Sequence, residues 1–465
     1  MNRPGRLRSF FLFFMFLAFF IDNPFTSVFG EYQAFTEIPG NLFFANLSFV
    51  IGIPLPYSLY EWTLFLTAFA LFVREPHLRN FPSGTLGATV VFWGYVIFWV
   101  FVSALFLQSD RQAMFWDFKG LITAPFVMFI FSKLFPKPED LILPAKVFAG
   151  VIFLKCVQAL FLNAFVWDAS HRTTVGYLID HAASYQISTV ILIAAGAMIF
   201  RYWRPRGLGA TLATAVFLTF LLLALVLNER RTEMVGFFLS LGLMGSVVAL
   251  QRPGKTLMAI PFATVGIGLY IAAFSKSEGV LGKPIQLLMS LTEKDDLSNL
   301  YRVVENYNLF ATLSANPFFG QGFGKPMKDV AGLSAFLEGD FFLLHPHNSI
   351  LGFWSQVGAV GLAFFMLLFA VFAFHAARSV VAAASPLALV IGTVVLANLF
   401  RYVIFSVGDQ LFLHSSSNFV LGASMGAIVV LARSQAAKQS WNVRGRRPID
   451  KHQKPLPEKF RPYRV

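Results

Sequence analysis

Apolar runs of about 18 or more residues recur along nearly the whole of this 465-residue chain, and each is long enough to cross a hydrocarbon core of roughly 30 Å as a helix. A helix satisfies its own backbone hydrogen bonds, so it is the element that can stand in lipid alone. Composition agrees: 56% of the residues are hydrophobic and 13% charged, and the mean hydropathy is +0.65. An ordinary soluble domain is excluded. The expectation is an all-α, polytopic membrane protein built as one multi-helix unit.

Candidate spans at roughly 8–27, 57–73, 86–107, 112–132, 144–165, 185–200, 207–227, 233–250, 256–274, 347–374, 384–406 and 411–432 predict about twelve transmembrane helices. The opening "MNRPGRLRSFFLFFMFLAFF" has the basic start and apolar core of a signal peptide without a convincing small-residue cleavage site, so it reads as an uncleaved first helix. Arg3, Arg6, Arg8, Arg74, Arg79, Lys133, Lys137, Arg201, Arg204, Arg206, Arg252, Lys255, Arg378 and the C-terminal segment then share one side. By the positive-inside rule that side is cytoplasmic, with both termini inside. The net charge of +13 is thus a topology signal, and no nucleic-acid partner is expected. The stretch "NLFFANLSFVIGIPLP", 41–56, would invert every later connection if it spanned, so it reads as interfacial or re-entrant. Residues 1–433 are expected to form the membrane domain and 434–465 a basic, disordered cytoplasmic tail. Cys156 is the single cysteine, so neither an internal disulfide nor a cysteine-pair metal site can form.

Three outward-facing polar segments stand out: "NERRTE" at 228–233, the long loop 275–346, and "HPHN" at 345–348, which closes that loop. A connection of about 70 residues is functional or disordered by default, and this one is not disorder-like. Leu297, Leu300, Val304, Tyr307 and Ala311 recur at helical spacing, opposite Ser298, Arg302, Glu305 and Asn306, which predicts an amphipathic helix on the membrane surface. In "NPFFGQGFG", 316–324, Asn-Pro and three glycines force a turn whose bare backbone at Gly320 and Gly322 can approach a ligand closely. The acidic cluster "EKDD", 293–296, lacks histidine partners and is a poor metal site; no metal or cofactor is expected.

Arg230, Arg231, Arg302 and His347 fall on the outer face together. Arginine forks match phosphate oxygens, histidine takes a proton near neutral pH, and Asn348 can hold a sugar hydroxyl or orient the ring. That set suits attack by an acceptor hydroxyl on a glycan linked to a lipid diphosphate. Plainer readings stand beside it. Asn348 is a favoured helix N-cap, Arg230 and Arg231 can be interfacial snorkellers, and Arg302 can sit on a solvated face beside Glu305. His345, two residues before His347, is a weaker candidate that could share a metal with it. Lys155 and Arg401, inside spans, are expected to face the bundle interior. Asp409 and His414 lie on the outer side without a motif.

"HPHNSILGFWSQVGAVGL" resembles the His-Asn motif of the O-antigen ligase and polysaccharide polymerase superfamily. "YRVVENYNLFATLSANPFFGQGFG" is similar to that family's segment in which an arginine precedes an Asn-Pro and a Gly-x-Gly, and "NERRTEMVGFF" resembles its Ser-Arg-Gly motif. The resemblance implies a bacterial inner-membrane enzyme. Such an enzyme transfers glycan from undecaprenyl diphosphate to a glycan or lipid acceptor on the periplasmic side, with inversion and without metal, beside other polysaccharide assembly proteins. It implies Arg231 and Arg302 for the diphosphate and His347 as activating base; Glu-Arg-Arg-Thr-Glu in place of Ser-Arg-Gly leaves Arg230 or Arg231 open. Polymerase and ligase both fit. A multi-pass transporter or flippase of lipid-linked saccharide is the alternative, although transporters concentrate polar residues near the midplane.

Overall fold

The computed structural model describes residues 4–21, 37–44, 57–74, 84–165, 181–277, 279–292, 297–335 and 341–445, with positions 47, 81, 82, 178 and 179. Among these residues the chain is helical and forms no strand. The long helices are α1 (Pro4–Phe20), α2 (Leu59–Arg74), α3 (Thr85–Phe106), α4 (Arg111–Leu134), α5 (Ile142–Phe165), α6 (His181–Ile199), α7 (Leu208–Leu227), α8 (Arg231–Gln251), α9 (Pro253–Phe274), α10 (Leu297–Ala315), α11 (Ser349–Val381), α12 (Pro386–Gly408) and α13 (Ser415–Gly445). Ten of them, α3–α9 and α11–α13, are long and apolar enough to cross a membrane, against the expected twelve or so. The two other expected places are taken by α1 and α2, which are shorter at 17 and 16 residues. The helix α13 continues to Gly445, through the first part of the segment expected to be tail. The rest of that segment, most of 41–56, and the acidic cluster 293–296 lie outside the described residues.

Burial separates centre from rim. None of the apolar window of α9 is buried within the protein, whereas 83% of that of α13 is, although α9 is the more hydropathic of the two. The rim helix therefore carries its apolar side chains outward, as lipid contact requires, and the central helix is held by backbone proximity. A Cβ added at Gly422 would lie 2.4 Å from the Ala124 carbonyl oxygen, and one at Gly426 2.7 Å from Phe131 Cβ, so glycine lets α13 lie directly on α4.

The two ends of the bundle are defined by contacts. At one end Arg8 pairs with Asp140 at 3.1 Å and Arg433 donates to the Ser132 carbonyl at 2.9 Å. At the other, Lys283 meets Glu229 at 2.5 Å and the Asp110 amide donates to the Gly324 carbonyl at 3.0 Å. The second end carries the long loop.

Within that loop α10 is a helix, as its periodicity predicts, but with its sides arranged differently. Leu300, Val303, Tyr307 and Phe310 face outward, while Glu305, Asn308 and Thr312 are fully or almost fully buried. Val304, expected on the apolar outer face, packs inward beside the Leu309, Met327, Leu333 and Leu343 cluster. The buried polar side chains of α10 are thus received by the protein itself and not by solvent.

One break shapes the same end. Gly358, inside α11, has φ 71° and ψ 179°, a conformation that L side chains avoid. Backbone groups on both sides of this interruption are recaptured. The amides of Gln321 and Gly322 donate to the carbonyls of Ser355 and Gln356 at 2.8 and 3.0 Å, and those of Ala359 and Val360 donate to Pro317 and Phe318 at 2.9 and 3.2 Å. From α3, Trp99 Nε1 and the Tyr95 hydroxyl donate to the carbonyls of Gln356 and Val357 at 2.5 and 2.9 Å. Non-helical backbone at membrane depth survives when the protein satisfies it in this way.

Candidate functional site

The glycine-rich turn 316–324 is spent on that docking. Cβ atoms at Gly320 and Gly322 would meet the Gln356 carbonyl oxygen at 2.4 Å and the Leu107 side chain at 2.6 Å. The close approach expected of these glycines is real, but what approaches is the chain's own α11 and α3 rather than an open ligand space. A buried carboxylate then pins the assembly. Asp117, on α4, accepts from Gln356 Nε2 at 2.8 Å and from the Gly324 amide at 3.1 Å, and its other oxygen lies 3.1 Å from His345 Nδ1. Gln410 donates to the His345 carbonyl, and Ser349 Oγ donates to the Asp409 carbonyl at 2.7 Å. Asp117 thus ties α4, the turn, α11 and the "HPHN" segment into one frame. His345 belongs to that frame.

His347 faces elsewhere. Its backbone amide donates to Glu305 Oε1 at 2.6 Å, and its Nδ1 lies 3.4 Å from the same oxygen. A carboxylate only accepts, so in this contact Nδ1 is the donor and Nε2 is left for another partner. The ring stands edge-on to Tyr301 at 5.3 Å, and its side chain is 19% exposed against 1% for Glu305. Burial, then the nearby Glu305, pushes the Tyr301 phenol up, so Tyr301 stays protonated beside the imidazole. The two histidines therefore have different carboxylate partners, which does not support the shared-metal reading.

Asn348 caps α11, accepting from the Leu351 amide at 3.0 Å, while its Nδ2 donates to Asn306 Oδ1 at 3.1 Å. The capping reading is thus correct, and the side-chain amide is spent on α10. Glu305, expected as a local partner of Arg302, belongs instead to His347. Arg302 is half-buried and forms no ion pair among the described residues.

Arg230 is the N-cap residue of α8 and Arg231 its first residue; both are half-buried. Arg231 reaches the Ser290 carbonyl at 3.3 Å and Asn299 Oδ1, on the first turn of α10, at 3.4 Å. The acids flanking these arginines are engaged by other cations: Glu229 by Lys283, and Glu233 by Arg401 at 3.3 Å, with Arg401 buried in the bundle as expected. The positive end of the α8 dipole and two arginines thus share one place.

Helix α10 connects the pieces. Asn299 contacts Arg231, Arg302 follows one turn on, and Glu305 and Asn306 hold His347 and Asn348 after the next. At 1.5 Å per residue these contacts span about 10 Å. Residues 215–366, from the middle of α7 to the middle of α11, match the family model for O-antigen ligase. The chain carries an O-antigen ligase family region. That region contains Arg230, Arg231, Arg302, Gly320, Gly322, His345, His347 and Asn348, and it associates the chain with glycosyl transfer in glycan assembly. No match is found among curated proteins. Asp117 and Gln410 lie outside the O-antigen ligase region, and sequence reading missed both. Asp117 did leave a signal, because an aspartate within an apolar span is expensive and so has a reason to be there.

Proposed function

We propose that the protein transfers glycan from a polyprenyl diphosphate to an acceptor hydroxyl at the loop-bearing end of the bundle, on the periplasmic side of a bacterial inner membrane. In this reading α1 and α2 also cross the bilayer, and the basic end faces the cytoplasm. The observation that carries it is the alignment of Arg231, Arg302 and the Glu305–His347 pair along one helix. His347 Nε2 takes the proton of the acceptor hydroxyl while Glu305 holds Nδ1–H and steadies the imidazolium that forms. The acceptor oxygen bonds to the anomeric carbon as the bond to the diphosphate oxygen breaks on the opposite side, which inverts the centre. Arg231 and Arg302, with Arg230 beside them, take up the charge left on the diphosphate. Removing one such donor typically raises the barrier by about 2.7–4 kcal/mol.

Incubating the purified protein with a polyprenyl-diphosphate oligosaccharide, alone and with candidate acceptors, tests the reading. Wild type should yield product and His347→Ala should not. Growth of the glycan from donor alone marks a polymerase; transfer only to an added lipid or protein acceptor marks a ligase. Absence of product with every acceptor, alongside movement of the donor across a vesicle membrane, would replace the enzyme reading with a transporter.

A further inference from the structure

A cavity of about 660 Å³ lies away from the loop-bearing end, between α5, α6, α12 and α13, with walls that are almost wholly apolar. Its lining follows α12 from Leu387 to Asn398, about three turns or roughly 16 Å, close to half of a 30 Å hydrocarbon core. The cavity is therefore one leaflet deep. Its inner limit is polar and closed: Thr189, Asn398 and Ser424 line it, and the fully buried Arg401 behind them donates to Asn398 Oδ1 at 3.1 Å and to the Tyr185 carbonyl at 3.0 Å. This plug separates it from the arginines and His347. The other limit is a mouth at the basic end, formed by Lys146, Tyr202 and Trp203, all exposed. Arg201 and Arg204 flank the two aromatic residues and are exposed; with Lys146 they form no ion pair among the described residues.

An apolar slot one leaflet deep, opening among interfacial aromatics and three cations, matches a lipid with an acyl chain and an anionic head. We infer that the cavity holds one acyl chain of an anionic phospholipid from the leaflet at the basic end, with the phosphate among Lys146, Arg201 and Arg204. A zwitterionic lipid fits the slot equally but gains less from the rim. The polyprenyl chain of a donor bound at the opposite end is blocked by the Arg401 plug.

Native mass spectrometry of the full-length protein in mild detergent, titrated with phosphatidylglycerol or phosphatidylcholine of identical chains, reads the site directly. Phosphatidylglycerol should bind tighter, and Lys146→Gln and Arg204→Gln should each weaken it about fivefold while leaving phosphatidylcholine unchanged. Ala194→Trp, which fills the slot, should reduce uptake of both lipids. The two rim variants alter exposed side chains, so they test the inference even if the filled variant fails to fold. Equal affinity for the two lipids, undiminished phosphatidylglycerol binding by the rim variants, or a polyprenyl phosphate as the tightly held species would overturn it.

Discussion

The two ends of the bundle use charge in opposite ways. At the loop-bearing end the carboxylates of Asp117, Glu233 and Glu305 are buried and each meets a named partner on a different helix or loop. At the basic end Arg6, Arg74, Arg201, Arg204, Arg206, Arg252 and Arg378 are exposed, and the pair there, Arg8 with Asp140, is itself partly exposed. Exposed ion pairs contribute about 0–1 kcal/mol, whereas breaking a buried one by removing a partner costs about 3–5 kcal/mol. Charge at the basic end is largely solvated, and in the proposed orientation it would set sidedness, so its residues are exchangeable in number. Charge at the other end positions atoms, so its residues are not.

The largest test of that contrast is kinetic. His347→Ala should lower kcat about 10²–10⁴-fold with donor binding largely kept, measured as glycan transfer by the purified protein. Glu305→Gln should lose less and keep a comparable KM, since it removes the partner of Nδ1 and not the base. Next, Arg302→Ala or Arg231→Ala should cost about 10²–10³-fold in kcat, while Arg206→Ala at the basic end should leave turnover within about twofold, because a single exposed charge contributes so little. Equal losses at both ends would erase the distinction.

Much of this asymmetry was legible in the sequence because positive charge between apolar runs reports sidedness directly. The helix α10 was legible too, through its period, but the role of each side was not. Hydropathy assigns polar residues to solvent, whereas Glu305, Asn308 and Thr312 turn into the protein and Leu300, Val303, Tyr307 and Phe310 turn out. Proximity in sequence likewise paired Glu305 with Arg302, when the structure gives it to His347, 42 residues away. The Asp117–His345 contact joins residues 228 apart, and no local pattern encodes such a distance. The break at Gly358 was invisible for a different reason: glycine is ordinary in membrane helices, and only the docking of 316–322 shows why this one cannot be replaced.

Stability supplies the middle of the range. Gly358→Ala places a Cβ 2.1 Å from the Phe318 carbonyl oxygen at a positive φ, so it should destabilise the protein by more than about 2 kcal/mol and expose the 316–324 turn to protease. Asp117→Ala leaves Gln356 Nε2 and the Gly324 amide without their acceptor and should cost about 1–3 kcal/mol for each, seen as a lower unfolding temperature in detergent. Neither change touches the arginines, so a variant that folds should keep measurable transfer.

The smallest effect is expected at Asp329, a half-buried carboxylate that breaks the pattern of its own end. Its oxygens accept from Ser334 Oγ at 2.5 Å, from the amides of Ser334 and Leu333 at 2.9 and 2.6 Å, and from Asn308 Nδ2 at 3.0 Å. These bonds, the Ser334 hydroxyl foremost, lower its pKa from 3.8 to about 2. A carboxyl held below its unfolded value stabilises the local fold above that value and loses the contribution as pH falls toward the folded one. Protection of the Leu333 and Ser334 amides, corrected for intrinsic exchange, should thus stay flat from pH 7 to about 4 and decline between about 4 and 2. Asp329→Asn should show the weaker protection at every pH and no decline. A wild-type decline centred near neutral pH would mean that another group controls the loop, and the division between positioned and merely solvated charge would then have to be drawn through this end of the molecule as well.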